Sequence, residues 1–417
     1  LKKLIIIFLF CSSLPLFAQL EISAQLRPRV EYRNGYRFPI DSGATDAFFI
    51  SQRTRLNLSY TDTLLETYLS LQDVRVWGDE AILSDDPSFG LAAGWIGLKL
   101  KHHFHLRAGR QELSFADQRL IGPAEWRQQA RSHDALLIGW NSEQWKLQLA
   151  AAFNQNAERL ASTSYGLNQY KAMTVLYAER TKGALTGHFL GIADGIQNLY
   201  SGGEEMDWRF TNGVQLQYQY NSWNFKLGGY TQNGVRFLNG RTIRAHMLHA
   251  GITYKINNIT IEGTYDLLSG QDTSATYTAF DNLYASRHRF YGFMDYYTSF
   301  PFDMKEGGLQ ALALQFQYNQ KDKHIWRADI HHFLLDEPVL DVFTGVASGR
   351  QLGNELDLLY TYNLREDIHI SLGHSFYFPG EDLDLIKGGD TRLISTFSYL
   401  MLDVHPSLFK SIRKNEL

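Results

Sequence analysis

The stretch WRFTNGVQLQYQY, residues 208–220, decides the fold. Trp208, Phe210, Val214, Leu216, Tyr218 and Tyr220 alternate with Arg209, Thr211, Gln215, Gln217 and Gln219. Successive side chains of a strand point to opposite faces, so this segment has one oily face and one wet face. Residues 352–362 repeat the pattern, with Leu356, Leu358, Tyr360 and Tyr362 set against Glu355, Asp357 and Thr361. An oily face ending in aromatics and a wet face of long polar groups match a transmembrane barrel with a water-filled lumen.

Working outward, about 18 such strands of roughly 9–13 residues follow one another as nine hairpins, long enough to cross a bilayer when tilted. Their connections alternate. Short ones carry Asp62, Lys101–His102, Asn141–Ser142, Lys182–Gly183, Asn221–Ser222, Asn257–Asn258, Lys321–Asp322 and Arg365–Glu366, the residue types of tight hairpin turns. Long ones fall at 35–46, 78–90, 113–132, 154–168, 193–207, 233–241, 269–305, 334–351 and 378–392. Strict alternation predicts an all-β antiparallel barrel with short periplasmic turns and long extracellular loops. Trp145, Trp208, Trp223 and Trp326 at the ends of oily faces fit the membrane interface. No repeat of propeller length is visible, which disfavours a soluble propeller.

The first residues read as a secretory leader: Lys2 and Lys3, an apolar stretch from Leu4 to Phe10, and small residues up to Ala18. Leu1 in place of Met reads as an alternative start codon. The predicted organisation is a signal peptide over 1–18, a barrel over 19–402 and a periplasmic tail over 403–417. Cys11 lies in the leader, so the mature chain offers neither a disulfide nor a thiolate metal site. Without Lys2 and Lys3 the 40 basic residues fall to 38, against 44 acidic ones, which is not the footprint of a nucleic-acid binder. The distribution of charge matters more than its sum.

Parity assigns faces. Arg27, Arg29, Glu31 and Arg33 share the wet face of the first strand, and Arg53 and Arg55 that of the second. His105 and Arg107 follow, then Lys146, Arg209, Lys226 and Arg327. Glu262, Asp266, Asp329, Glu355 and Asp357 lie inward on later strands. A charge facing lipid costs about 2–4 kcal/mol at mid-membrane, so inward placement alone is close to forced and can serve merely to hydrate a wide barrel. A second reading is that clustered Arg side chains draw anions, Arg suiting carboxylates because its planar fork bonds both oxygens. In residues 65–77, Glu66, Ser70 and Gln72 share one parity and Asp73 and Arg75 the other, which suggests a bulge or an extension beyond the membrane.

The stretch GRQELSFADQRLIGPAEWRQQARSHDAL, residues 109–136, together with QDVRVWGD, residues 72–79, resembles the signature of the alginate export family. The resemblance implies an 18-stranded outer-membrane barrel of a Gram-negative bacterium whose electropositive constriction passes an anionic uronic-acid polymer. The matching positions are Arg110, Gln111, Glu112, Asp117, Arg119, Trp126, Arg131 and Asp134. Arg110, Arg119 and Arg131 are expected to pair with Glu112, Asp117 and Asp134, either ordering the loop or contacting substrate.

The leading expectation is therefore a passive channel for anionic polysaccharide or oligosaccharide. Its substrate path would run along Arg27, Arg29, Arg33, Arg53, Arg55, Arg107, Lys146 and Arg209. The alternative is a general diffusion porin for small solutes. Expected partners are outer-membrane lipid, anionic polysaccharide or small anions and the barrel-assembly machinery, with no nucleic acid and a monomeric state. No enzymatic constellation is visible: inward His105, His249, His331 and His369 lack a matching serine, and Glu355 with Asp357 reads as pore-hydrating. No cofactor or metal is expected, because His102–His103 flank a turn and His331 and His332 point to opposite faces.

Overall fold

The structure, a computed structural model, describes residues 18–84, 88–165, 169–198, 204–237, 239–341 and 344–411. The expected leader lies outside the described residues except for Ala18. Eighteen antiparallel strands form a closed barrel. They are β1 (Gln19–Asn34), β2 (Ala47–Thr61), β3 (Leu65–Val76), β4 (Gly90–Lys99), β5 (Phe104–Gln111), β6 (His133–Asn141), β7 (Trp145–Phe153), β8 (Ala172–Lys182) and β9 (Leu185–Gln197). The second half comprises β10 (Met206–Tyr220), β11 (Trp223–Val235), β12 (Thr242–Ile256), β13 (Ile259–Leu268), β14 (Leu309–Gln320), β15 (His324–Leu334), β16 (Gln351–Arg365), β17 (Ile368–Pro379) and β18 (Ser395–Val404).

Closure is made by β1, which pairs with β2 on one side (Arg29 opposite Ser51) and β18 on the other (Arg29 opposite Met401). The wall also runs beyond the predicted limit at residue 402. Past Pro406, Ser407–Lys410 form a short β19 that continues along β1, with Ile22 opposite Phe409. The expected tail is thus held on the wall as far as Lys410, and residues 412–417 lie outside the described residues.

The two predicted faces are present. Leu227, Leu248, Leu314, Ile330 and Leu372 are half-exposed or more on the outer surface. Trp145 and Trp223 open β7 and β11 at the short-turn end, and Trp208 stands near the long-loop end of β10. The third strand needs no bulge toward β2, with which its register is unbroken. Asp73 and Arg75 do lie on the outer parity, paired at 2.6 Å near the long-loop rim, where Arg75 also donates to Ser88 of the following loop.

One expectation fails. The lumen is not simply water-filled, because the long connection 269–308 folds into it and builds an apolar core there. Tyr291, Met294, Tyr296, Tyr297, Phe300 and Met304 are almost fully buried, packed with the inward-facing wall residues Phe333, Tyr377 and Phe397. Tyr296 stacks on Tyr377 at 3.9 Å, and the Tyr297 and Tyr377 hydroxyls meet at 2.5 Å. Toward the long-loop end the wet face of the strands therefore turns aromatic, to receive this loop.

Face assignment has a direct check. Leu314→Arg is expected to lower the unfolding free energy in lipid by about 2–4 kcal/mol, whereas Gln315→Arg, beside Glu262 and Asp329 on the lumen side, should cost far less. Urea titration of the refolded barrel measures both, and equal costs would refute the assignment.

Candidate functional site

The site is built where two long loops meet inside the barrel. The first, residues 112–132, leaves β5 and returns to β6; the second is 269–308. A short parallel pairing knits them. Tyr284 donates its N–H to Leu120 at 2.8 Å, Gly122 donates to Tyr284 at 2.9 Å, and Ser286 donates to Gln118 at 3.1 Å. Gly122 is required here, since a Cβ on it would stand 2.3 Å from the Ser286 hydroxyl.

Charges fasten the first loop to the wall. Glu125 lies 2.8 Å from Arg53, 3.4 Å from Arg55 and 3.8 Å from Arg27. Gln128 accepts from Arg27 at 3.0 Å and donates to Ser51 at 3.0 Å. On the opposite wall Arg119 bonds Asp266 of β13 and Asp117 at 2.9 Å, while Gln215 of β10 donates to Asp117 at 3.1 Å. Trp126 is the hub between them. The Arg29 guanidinium lies 4.0 Å above its ring, the His288 imidazole stacks parallel at 4.0 Å, and Tyr399 packs edge-on at 5.0 Å. Its surroundings are thus occupied by the protein itself.

The sequence-predicted residues therefore separate into groups. Arg27, Arg29, Arg33, Arg53 and Arg55 do cluster on β1 and β2, but their direct ion pairs run to Glu31 and Glu125, so five guanidinium groups share two carboxylates. Arg209 is engaged by Asp194 and Asp281, each at 2.7 Å. Arg107, over the Trp95 ring at 4.0 Å, and Lys146 make no ion pair among the described residues. Of the signature positions, Arg110 and Asp134 face each other at 3.2 Å on the exposed outer side of the wall, away from the lumen. Gln111 is buried at the loop's root and donates to Ala135 at 2.7 Å. Glu112 forms no ion pair among the described residues, and desolvation with the nearby Glu125 charge holds its carboxyl above the usual range. Arg131 pairs with no acid among the described residues. It donates to the carbonyls of Gly122, Tyr284 and Ala285, and burial with the Arg287 and Arg127 charges pushes its pKa down to about 10.

Two spaces abut at this junction. One, of about 350 Å³, is lined by Glu125, Arg131, Arg287, Arg289 and, from β15, Arg327. The other, of about 440 Å³, lies against Arg29, Arg33, Tyr36 and Val74. Trp126, Arg127 and Asp295 line both. Asp295 is committed to His288 at 2.7 Å and to the Tyr36 hydroxyl, whereas Arg127 and Arg289 are exposed and make no ion pair among the described residues. Inspection of parity misses Arg127, Arg287, Arg289 and Asp295, because loop residues have no period. Their nearest signal was the adjacent signature Trp126.

A family model described as alginate export matches residues 18–390. This chain belongs to the alginate export family. It is an outer-membrane channel protein, and its fold is shared with solved porins. OccAB1 of Acinetobacter baumannii superposes with a TM-score of 0.65 at 12% identity, covering 94% of this chain and 97% of that one. OccK11 (OpdR) of Pseudomonas aeruginosa gives 0.61 at 11% identity, covering 94% and 96%. OpdK of Pseudomonas aeruginosa, solved with vanillate, gives 0.60 at 10% identity, covering 94% and 98%. Direct comparison with curated protein sequences finds no match.

Two outcomes follow for this alginate-export barrel. Arg119→Ala leaves Asp117 and Asp266 facing each other without their shared cation. It should cost about 3–5 kcal/mol in urea unfolding, partly restored by adding Asp266→Asn; a cost under about 1 kcal/mol would show that the loop is anchored elsewhere. Second, burial opposes the Glu125 anion, but Arg53 and Arg55 outweigh it and its pKa lies below the ordinary value. Its contribution to docking is fully present above that ordinary value and is lost as pH falls through the lowered one. Hydrogen exchange in residues 112–132 should therefore stay slow through the usual carboxylate range and rise only at lower pH. In Glu125→Gln this part of the pH dependence should vanish.

Proposed function

We propose that this outer-membrane channel passes carboxylate-bearing saccharides of the alginate type, recognised at the junction of its two inward loops. The observation that carries this reading is Arg127, an exposed guanidinium that lines both lumenal spaces and makes no ion pair among the described residues. Arg289 of the second loop lines the first of these spaces with it, and Arg107 and Lys146 on the wall are further cations without an ion pair among the described residues. Fixed cations in a low-dielectric passage focus the field on an anion, and a guanidinium matches a carboxylate with two parallel hydrogen bonds. Of the clustered guanidinium groups, Arg27, Arg29, Arg53 and Arg55 seat the first loop while Arg33 pairs with Glu31, and all five act on the solute through the field they leave incompletely neutralised.

The size of the spaces favours short acidic sugars, or single uronate units of a chain taken in sequence, over a wide polymer track. It equally favours small free carboxylates as a second reading, the class to which the vanillate in the OpdK structure belongs. A general diffusion porin is the less favoured reading, because the loops and their aromatic core occupy much of the lumen. Insertion by the barrel-assembly machinery, operation as a monomer and the absence of catalysis belong to the proposed reading.

Planar-bilayer recordings test it. The wild-type chain should prefer anions and be blocked by oligouronate, and Arg127→Ala with Arg289→Ala should weaken both properties. Block by small carboxylates alone would select the second reading. Cation preference, or large currents indifferent to every uronate, would overturn the proposal.

A further inference from the structure

Beneath the second loop, β15 and β16 bring together groups that the channel reading does not use. Asp329 lies directly across the ladder from Asp357, and His331 directly across from Glu355. On the far side of β16, Ser375 of β17 is opposite Asp357. All five side chains are sealed from solvent, with exposures between 0% and 2%. The expectation that Glu355 and Asp357 hydrate the pore therefore fails, because both are buried and the second loop caps Glu355. Glu355 accepts the Met294 N–H at 2.7 Å, and Gly292 lies so close that a Cβ would stand 2.3 Å from that carboxylate.

Arg327 neutralises one of the three acids, holding Asp329 at 2.5 Å. Asp357 and Glu355 remain. Asp357 Oδ2 stands 3.4 Å from His331 Nε2, yet neither Asp357 oxygen accepts a hydrogen bond among the described residues. His331 Nδ1, Glu355 Oε2 and Ser375 Oγ are likewise without hydrogen-bond partners among the described residues. An uncompensated buried charge costs several kcal/mol, and buried polar atoms of a native wall are ordinarily partnered. A cation set between these groups would answer both the charge and the orphaned atoms.

We propose that Asp329, His331 and Asp357 hold a divalent metal ion of the zinc class in the barrel wall. One donor atom from each lies within 4.8 Å of the others, so small side-chain shifts would bring all three onto a single ion. The imidazole nitrogen selects zinc-like metals over calcium or magnesium, which prefer all-oxygen shells. The ion ties β15 to β16 below the aromatic core, and through Glu355 it steadies the segment of the second loop that passes over Trp126 and Arg127. It is structural and takes no part in transport, so the site stands or falls separately from the proposed substrate.

The test uses the full chain refolded in detergent, stripped with a chelator and given zinc alone. Elemental analysis after desalting should find one zinc per chain, and zinc should raise the thermal unfolding temperature. Asp357→Asn and, as a milder change, His331→Gln should lose the bound zinc and the thermal response. Glu262→Gln, a lumen carboxylate outside the cluster, should keep both. Absence of retained zinc in the wild-type chain overturns the proposal whether or not the variants fold. So does a wild-type chain that takes calcium and refuses zinc. A third contrary result is an Asp357→Asn chain that unfolds at higher temperature than a zinc-indifferent wild type, the behaviour of buried acids that share protons.

Discussion

Every feature of this molecule depends on the demand that backbone N–H and C=O groups crossing lipid be hydrogen-bonded within the protein. A sheet meets that demand only by closing, so the pairing of β1 with both β2 and β18 governs all else. Closure creates an inside. Because lipid penalises charge, the polar side of each strand must turn toward that inside. The barrel thereby concentrates guanidinium and carboxylate groups from strands far apart in the chain into one narrow volume.

What the chain does with that volume distinguishes it from an open pipe. The loop 112–132 and the loop 269–308 enter from the long-loop end and are fastened to the wall. Arg53, Arg55 and Gln128 hold the first loop on the side of β1 and β2, and Arg119 holds it to β13. The second brings its own apolar core, seated against Phe333, Tyr377 and Phe397. Much of the cationic cluster is consumed in this fastening, so the groups left to meet a solute are loop residues such as Arg127 and Arg289. Positioning and recognition are separated: wall charges place the loop, and the loop presents the charge.

The same division explains the fate of Trp126 and of the acids. Trp126 sits in the family's signature, which suggests solute contact, yet Arg29 and His288 cover its ring. Glu355 and Asp357 sit at inward positions, which suggests hydration, yet both are sealed from solvent, and Glu355 is capped by Met294 of a loop 61 residues away in sequence. In each case the residue's face was right and its environment was supplied by a distant segment.

The amino-acid sequence by itself determined the strands, their faces, the alternation of short turns and long loops, and hence the closed outer-membrane barrel. Those features rest on a period of two and on turn chemistry, both local properties of the chain. The inward positions of Arg27, Arg53, Asp266 and Asp357 were legible for the same reason. The tertiary structure alone decided which charges are paired, that Arg110 and Asp134 face outward, that Arg127 lies between two lumenal spaces, and that Asp329, His331 and Asp357 converge. Loops carry no period, and the partners of a buried charge are chosen by packing between segments far apart in sequence. No pattern read along the chain encodes that choice.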